Sequence, residues 1–131
     1  MKRRHFLLAA LAMVTSARRA AGAEPKRFRV AFANLNEEPG ARIDGLGFTG
    51  ADIRRSFELA ARGLPIDMTY YDNGGDAERA IANAKEAIAS KVDLLIELNS
   101  DAGANAEIAR ELKTAGIPLL AVIYSIPGAP L

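Results

Sequence analysis

The sequence predicts an α/β domain: an open parallel sheet with helices on both faces. Three observations predict it. Short apolar runs of strand length alternate along the chain with segments whose apolar residues recur at helical spacing. One run, Val92-Asp-Leu-Leu-Ile-Glu-Leu98, is nearly continuous in apolar residues, as a strand buried on both faces must be. It ends abruptly in Asn99, Ser100 and Asp101, all good helix N-caps, ahead of an alanine-rich helical pattern.

In chain order, Arg27 to Leu35 holds the run Val30-Ala-Phe-Ala33, a first strand that exits through Asn34-Leu-Asn36. Glu37 to Gly47, with Pro39, Gly40, Gly45 and Gly47, is a loop. It exceeds the roughly 2–6 residues usual between strand and helix, and long loops in compact domains often carry function. Thr49-Gly-Ala-Asp52 fits a capping box with aspartate as the acid. Ile53, Phe57, Ala60 and Leu64 then define the inward face of a first helix, which Gly63 and Pro65 end. Ile66 to Tyr71 alternates Ile66, Met68 and Tyr70 with Asp67, Thr69 and Tyr71, the pattern of a half-exposed edge strand. Tyr70 and Tyr71 are read as structural.

Asp72-Asn-Gly-Gly-Asp76 is a turn, and Asp76 caps a second helix reaching about Ser90, with Ala77, Ala80, Ile81, Ala84 and Ile88 on one face. Val92 to Leu98 is the third strand. Ala102 to Ala115 is the third helix, with Ile108, Leu112 and Ala115 inward, and Gly116 stops it. Ile117-Pro118 starts the fourth strand, Leu119 to Ile123. Tyr124 to Pro130 is irregular.

Right-handed crossovers make these four strands parallel. The expected order is 2-1-3-4, a flavodoxin-like or Rossmann-like three-layer sheet whose order switches between strands 1 and 3. The exits Asn34–Asn36, Asp72–Gly75, Glu97–Asp101 and Tyr124–Ile126 then share one rim, where open α/β sheets hold small ligands.

The 131 residues suit one domain, and half of them are apolar. There is no cysteine, which excludes disulfides and thiolate metal sites. The single histidine, His5, lies in an expected leader. Of 17 basic residues, five stand within positions 1–23, where none of the 16 acids lies, so the remainder carries about −4. A mildly acidic domain without a basic patch is a poor nucleic-acid binder.

Residues 1–23 are expected to be an export signal. Lys2-Arg3-Arg4 is its basic start, Phe6 to Val14 its apolar core and Ala21-Gly22-Ala23 its cleavage site. Arg3-Arg4-His5-Phe6-Leu7 resembles the twin-arginine signal. The apolar run is too short to span a bilayer, which needs about 20 residues, so no stable membrane insertion is expected. Residues 24–131 form a single domain in this reading, in the periplasm or at the cell surface.

The candidate site residues are amides, carboxylates and aromatics at the rim: Asn34, Asn36, Phe48, Glu97, Asn99, Asp101 and Tyr124. Such groups hydrogen-bond neutral polar ligands. Glu97 breaks the apolar rule of its strand, and a buried carboxylate is costly unless paired or wet. It either points to solvent at the strand's end or faces a ligand cleft. Phe48 either staples the first helix to the core or stacks on a sugar ring, and Tyr124 has the same two options. No Gly-x-Gly-x-x-Gly follows the first strand and no Walker loop is present. Asp72, Glu97 and Asp101 match no calcium-loop spacing. No histidine or cysteine is left to assemble a base–nucleophile pair, which argues against an enzyme; no cofactor and no metal are expected.

Four stretches in order resemble the N-terminal lobe of periplasmic sugar-binding proteins of the ribose and galactose type, the substrate-capturing subunits of ABC importers. They are Arg29-Val-Ala-Phe-Ala-Asn-Leu-Asn36, Asp76 to Ile88, Val92 to Ala102, and Lys113-Thr-Ala-Gly-Ile-Pro-Leu-Leu-Ala-Val122 followed by Ile-Pro-Gly at 126–128. The resemblance spans roughly residues 28–130. It implies a sugar-like ligand in a cleft between two lobes, gripped from this lobe by Asn34, Asn36, Phe48, Glu97, Asn99, Asp101 and the Ile123–Ile126 segment. It implies an ABC permease or membrane sensor as the partner.

Three departures bear on this. Ile123 stands where the family places a sugar-gripping aspartate. The aromatic pair expected soon after the first strand is reduced to Phe48. The chain stops where a hinge would lead to a second lobe, so a truncated or split binding protein with weak affinity is expected. The alternative is a single-lobe interaction module docking on a membrane sensor or permease. An enzyme on the same sheet and a repressor's effector lobe are the remaining readings.

Overall fold

The computed structural model describes residues 24–43 and 45–129; the expected leader lies outside them. The elements are β1 (Phe28–Asn34), α1 (Gly50–Ala61), β2 (Ile66–Asp72), α2 (Ala77–Ala89), β3 (Leu94–Glu97), α3 (Ala102–Ala115) and β4 (Leu119–Ala121). All three strand pairings are parallel and the order is β2-β1-β3-β4, as the crossover argument requires.

The register aligns the strand ends. Asn34 pairs with Asp72, Ala33 with Glu97, and Glu97 with Ala121, so the four exits leave one edge of the sheet. Alternation along each strand divides the core into two layers. Ala31, Ala33, Leu95 and Leu119 pack with Ala80, Ala84 and Ala87 of α2 and Ile108 and Leu112 of α3. Val30, Phe32, Ile96 and Leu98 pack on the opposite face with Ile43, Ile53, Phe57, Met68 and Tyr70. There the Phe32 ring lies 4.4 Å from Phe57 and meets Tyr70 edge-on at 6.4 Å. Tyr70 and Tyr71 are structural in the sense expected: each is a partly buried member of one core layer.

Each helix starts where its cap was expected. Thr49 and Asp52 form a reciprocal capping box, the Asp52 carboxylate accepting from Thr49 N at 2.8 Å and Thr49 Oγ1 accepting from Asp52 N at 3.2 Å. Asp76 accepts from Arg79 N and Asp101 from Ala104 N, each at 2.7 Å.

Three expectations need correction. Helix α1 ends at Ala61, earlier than expected, and leaves Ala60 and Leu64 exposed because it covers only the β1–β2 half of its face. Ala115 is exposed, and the inward face of α3 is instead Ala104, Asn105, Ile108, Ala109 and Leu112. Strand β4 stops at Ala121 rather than Ile123. Val122 N still donates to Glu97 O at 3.0 Å, but Ile123 then adopts φ of 68° and Tyr124 N folds back onto Val122 O at 2.8 Å. A β-branched residue at positive φ is strained, so the tight turn is imposed by the sheet edge rather than chosen by Ile123.

Candidate functional site

The rim is built from the residue upward by hydrogen bonds that β-strand exits leave open. Asn34, at the end of β1, has no solvent exposure; its Nδ2 donates to Gly50 O at 2.8 Å and to Glu37 Oε1 at 3.1 Å. This ties the start of α1 to the strand. The approach is so close that a Cβ on Gly50 would overlap Asn36 O, so only glycine fits. Glu37 spends its other oxygen on Arg54 Nη1 at 2.8 Å, and that guanidinium stacks 4.5 Å over the Tyr70 ring. Asp72 Oδ1 accepts from Glu37 N at 3.1 Å and Gly74 N at 2.9 Å.

On the other face a second network runs inward. Asn83 Nδ2 donates to Asn73 Oδ1 at 2.9 Å, and Asn73 Nδ2 donates to Glu97 Oε1 at 2.8 Å. Glu97 is wholly buried, so of its two readings the one that points it to solvent is excluded. The cause is its parity. Two residues beyond Leu95, it faces the α2–α3 layer rather than water. Burial pushes the Glu97 carboxyl up to about 8, partly offset by the bond from Asn73. It is therefore neutral at pH 7, and the proton belongs on Oε2, which has no partner, because Oε1 is the acceptor.

Among the described residues, four buried polar atoms lack a protein partner: Asn34 Oδ1, Glu97 Oε2, Asn99 Nδ2 and Asn105 Oδ1. All four belong to strand exits or to the first turn of α3. Native proteins leave few such atoms, and they mark places where water or another molecule completes the structure.

The structure thus brings the expected residues to one edge but sorts them by depth. Asn34, Glu97 and Asn99 lie inside the rim, where the register buries the last residues of β1 and β3. They brace it, and Asn105 Nδ2 adds a 2.8 Å bond to Asn99 O. Asn36 and Tyr124 are half-buried, and Asp101 and Phe48 are exposed. Asn36 Oδ1 accepts from Glu38 N at 2.8 Å, an Asx turn that opens the loop. The loop itself is anchored by buried Ile43, whose N–H donates to Phe48 O at 3.1 Å. Phe48 stays 40 % exposed and shares a shallow depression with Ile53, so it is not driven into the core. Tyr124 packs its ring against the α1-side layer. Asn73, Asn83, Asn105 and Glu37 escaped the sequence reading. An asparagine inside Asp-Asn-Gly-Gly reads as turn chemistry, and its partner Glu97 is 24 residues away.

No protein-family model and no curated protein matches the chain. Solved structures do. A solute binding protein of an ABC transporter from Mycobacterium smegmatis, with bound glycerol, matches at a TM-score of 0.67 and 12 % identity over 79 % of this chain and 33 % of its own. The Caulobacter myo-inositol binding protein, bound to myo-inositol, matches at 0.66 and 18 % over 79 % and 32 %. A Bacillus halodurans solute binding protein with bound myo-inositol matches at 0.60 and 21 % over 82 % and 34 %. The fold is that of one lobe of the sugar-type ABC solute-binding proteins. The chain spans about a third of the length of those it matches. These neighbours are binding proteins rather than enzymes. No helix among the described residues is long and apolar enough to cross a membrane.

Proposed function

We propose that the chain is an exported solute-binding protein of an ABC-type sugar importer, which holds a hydroxylated, uncharged small molecule at the C-terminal rim of its sheet. The observation that carries this reading is the alignment of all four polar exits on one edge, with unsatisfied amide and carboxyl atoms just beneath it. Hydroxyl groups both donate and accept, so a polyol matches an edge of amide and carboxyl groups better than an ion does. Asn36, Asp101, Phe48 and Tyr124 supply the contacts, while Asn34, Glu97 and Asn99 hold them in place. Residues 1–23 direct export, the product acts in the periplasm, and the partner is an ABC permease or membrane sensor. The solved neighbours support the ligand class through the glycerol and myo-inositol they hold.

One lobe is a shelf, whereas tight small-molecule sites bury most of the ligand. Calorimetric titration with mono- and disaccharides and myo-inositol should therefore give dissociation constants near about 1 mM, roughly 4 kcal/mol of binding. No heat from any of them at tens of millimolar overturns the sugar reading, and micromolar binding overturns the open shelf.

A second reading is favoured by a separate observation. At the other end of the sheet Phe28, Val30, Leu64, Ile66, Leu94 and Pro118 line an apolar trough of about 480 Å³, where Phe28 is 56 % and Leu64 48 % exposed. Exposed apolar patches mark interaction surfaces. In that reading the lobe is a module docking on a sensor or permease, and Leu64→Asp abolishes docking while the sugar titrations stay empty.

A further inference from the structure

The order of the sheet switches between β1 and β3, and the groups at that switch form a chain of contacts. The backbone of Asn73 donates to Asn34 O at 2.8 Å, and Gly75 N donates to Leu35 O at 2.7 Å, so the turn after β2 lies across the exit of β1. From there Asn73 Nδ2 reaches Glu97, on the far side of β1, while its Oδ1 is held by Asn83 of α2. Ala33 lies between Tyr71 and Glu97 in the register, and its methyl group is small enough to leave the span open. The chain of donors has one consistent direction. Reversing the Asn73 amide would set nitrogen against the Asn83 nitrogen and oxygen against Glu97 Oε1.

We propose that Asn73 and Glu97 form a latch across the switch point, and that Glu97 is a positioning residue which fixes the Asp72–Gly75 turn at the rim without touching ligand. The proposal rests on the rim being the ligand site, but its first readout needs no ligand. Glu97 is held neutral by burial, because a carboxylate there would have one hydrogen bond and no counter-charge, and the stronger bond Asn73 would make to it offsets only part of that cost. Among the charged groups of the surrounding elements, Asp76 in the turn, Arg79 and Lys85 on α2 and Asp101 before α3 are exposed, while Asp72 and Glu107 are half-buried. None is a hydrogen-bond partner of Glu97; burial alone raises its pKa, and the bond from Asn73 opposes that rise. Deprotonation therefore leaves a buried charge whose one protein partner is Asn73, rather than exchanging one ion pair for another.

The test is an NMR pH titration of the chain and of its E97Q and E97M variants. E97Q keeps an acceptor for Asn73 and carries no titratable proton; E97M keeps the volume and removes the acceptor. In the wild type the Asn73 side-chain amide signals should shift with a midpoint near 8, and in E97Q they should not titrate there. Exchange of the Asn73 and Gly75 backbone amides should be at least tenfold faster in E97M than in E97Q, with Ile108 in α3 within about twofold. Should E97M not fold, N83A removes the outer bond of the latch together with the Asn83 bond to Asp72 O at 3.2 Å, leaves Glu97 in place, and should raise the same two exchange rates severalfold. A wild-type midpoint near 4.5, or equal Gly75 exchange in all variants, overturns the latch. With myo-inositol as probe, E97Q should bind within about twofold of wild type and E97M (or N83A) at least fivefold more weakly. Equal binding by a variant whose turn has loosened overturns the positioning role. Absence of myo-inositol binding in the wild type, with the exchange differences present, instead removes the rim as its site and leaves the latch standing.

Discussion

A single carboxyl, Glu97, shows how much one residue's surroundings decide. Its folded form keeps its proton up to about 8, against 4.5 for the ordinary side chain. Between those values the folded state binds a proton that the unfolded state does not, so stability falls as pH rises from about 4.5 to about 8 and levels off above. At about 1.4 kcal/mol per pKa unit the loss is a few kcal/mol. Urea unfolding at pH 5, 6.5 and 8 should show this slope in the wild type, and Glu97→Gln should remove most of it. Gly50 is decided by space instead. Alanine is the better helix former by about 1 kcal/mol, but its methyl would occupy the position of Asn36 O. Gly50→Ala should therefore destabilise by about 2 kcal/mol, within the range for overpacked sites, measured by thermal melting.

At the scale of the element, the ends of α2 and α3 provide an internal comparison. Both helices close with the chain turning left-handed and folding back on the last carbonyls. Ile117 N reaches Leu112 O at 3.0 Å after Gly116, and Val92 N reaches Ala87 O at 3.4 Å after Lys91. Gly116 takes φ of 70° without steric cost, whereas Lys91 takes 54° with a Cβ. The left-handed penalty for a side-chain-bearing residue is roughly 1–2 kcal/mol. Lys91→Gly should therefore raise stability by up to about 1 kcal/mol after the larger chain entropy of glycine, seen as a higher urea midpoint at unchanged slope. The exposed turn at Ile123 has the same remedy. The alternation of β2, the caps of all three helices and the Gly116 stop were legible because each depends on neighbours a few residues away. The early end of α1 and of β4 was not, because each is set by what the opposite layer covers.

For the whole molecule, the two ends of the sheet divide polar from apolar. The rim collects Asn34, Asp72, Glu97 and Asp101, while the opposite end exposes Phe28, Leu64 and Pro118 in a trough. Such a surface should bind the dye ANS in the native state, and Leu64→Glu should lower that fluorescence severalfold at unchanged melting temperature, since Leu64 is 48 % exposed. Sugar titrations should be indifferent to this substitution, because trough and rim lie at opposite ends of the strands.

The sequence by itself determined the parallel order, the shared edge of the strand exits and the polar character of that edge, because periodicity, caps and crossover handedness are local or topological rules. Only the tertiary structure decided depth. Whether Asn34, Glu97 and Asn99 face a ligand or brace the residues that do depends on register and on the layers packed above each strand. Asn73 and Glu97 meet only after the chain has folded across β1, and no pattern along the sequence encodes that approach.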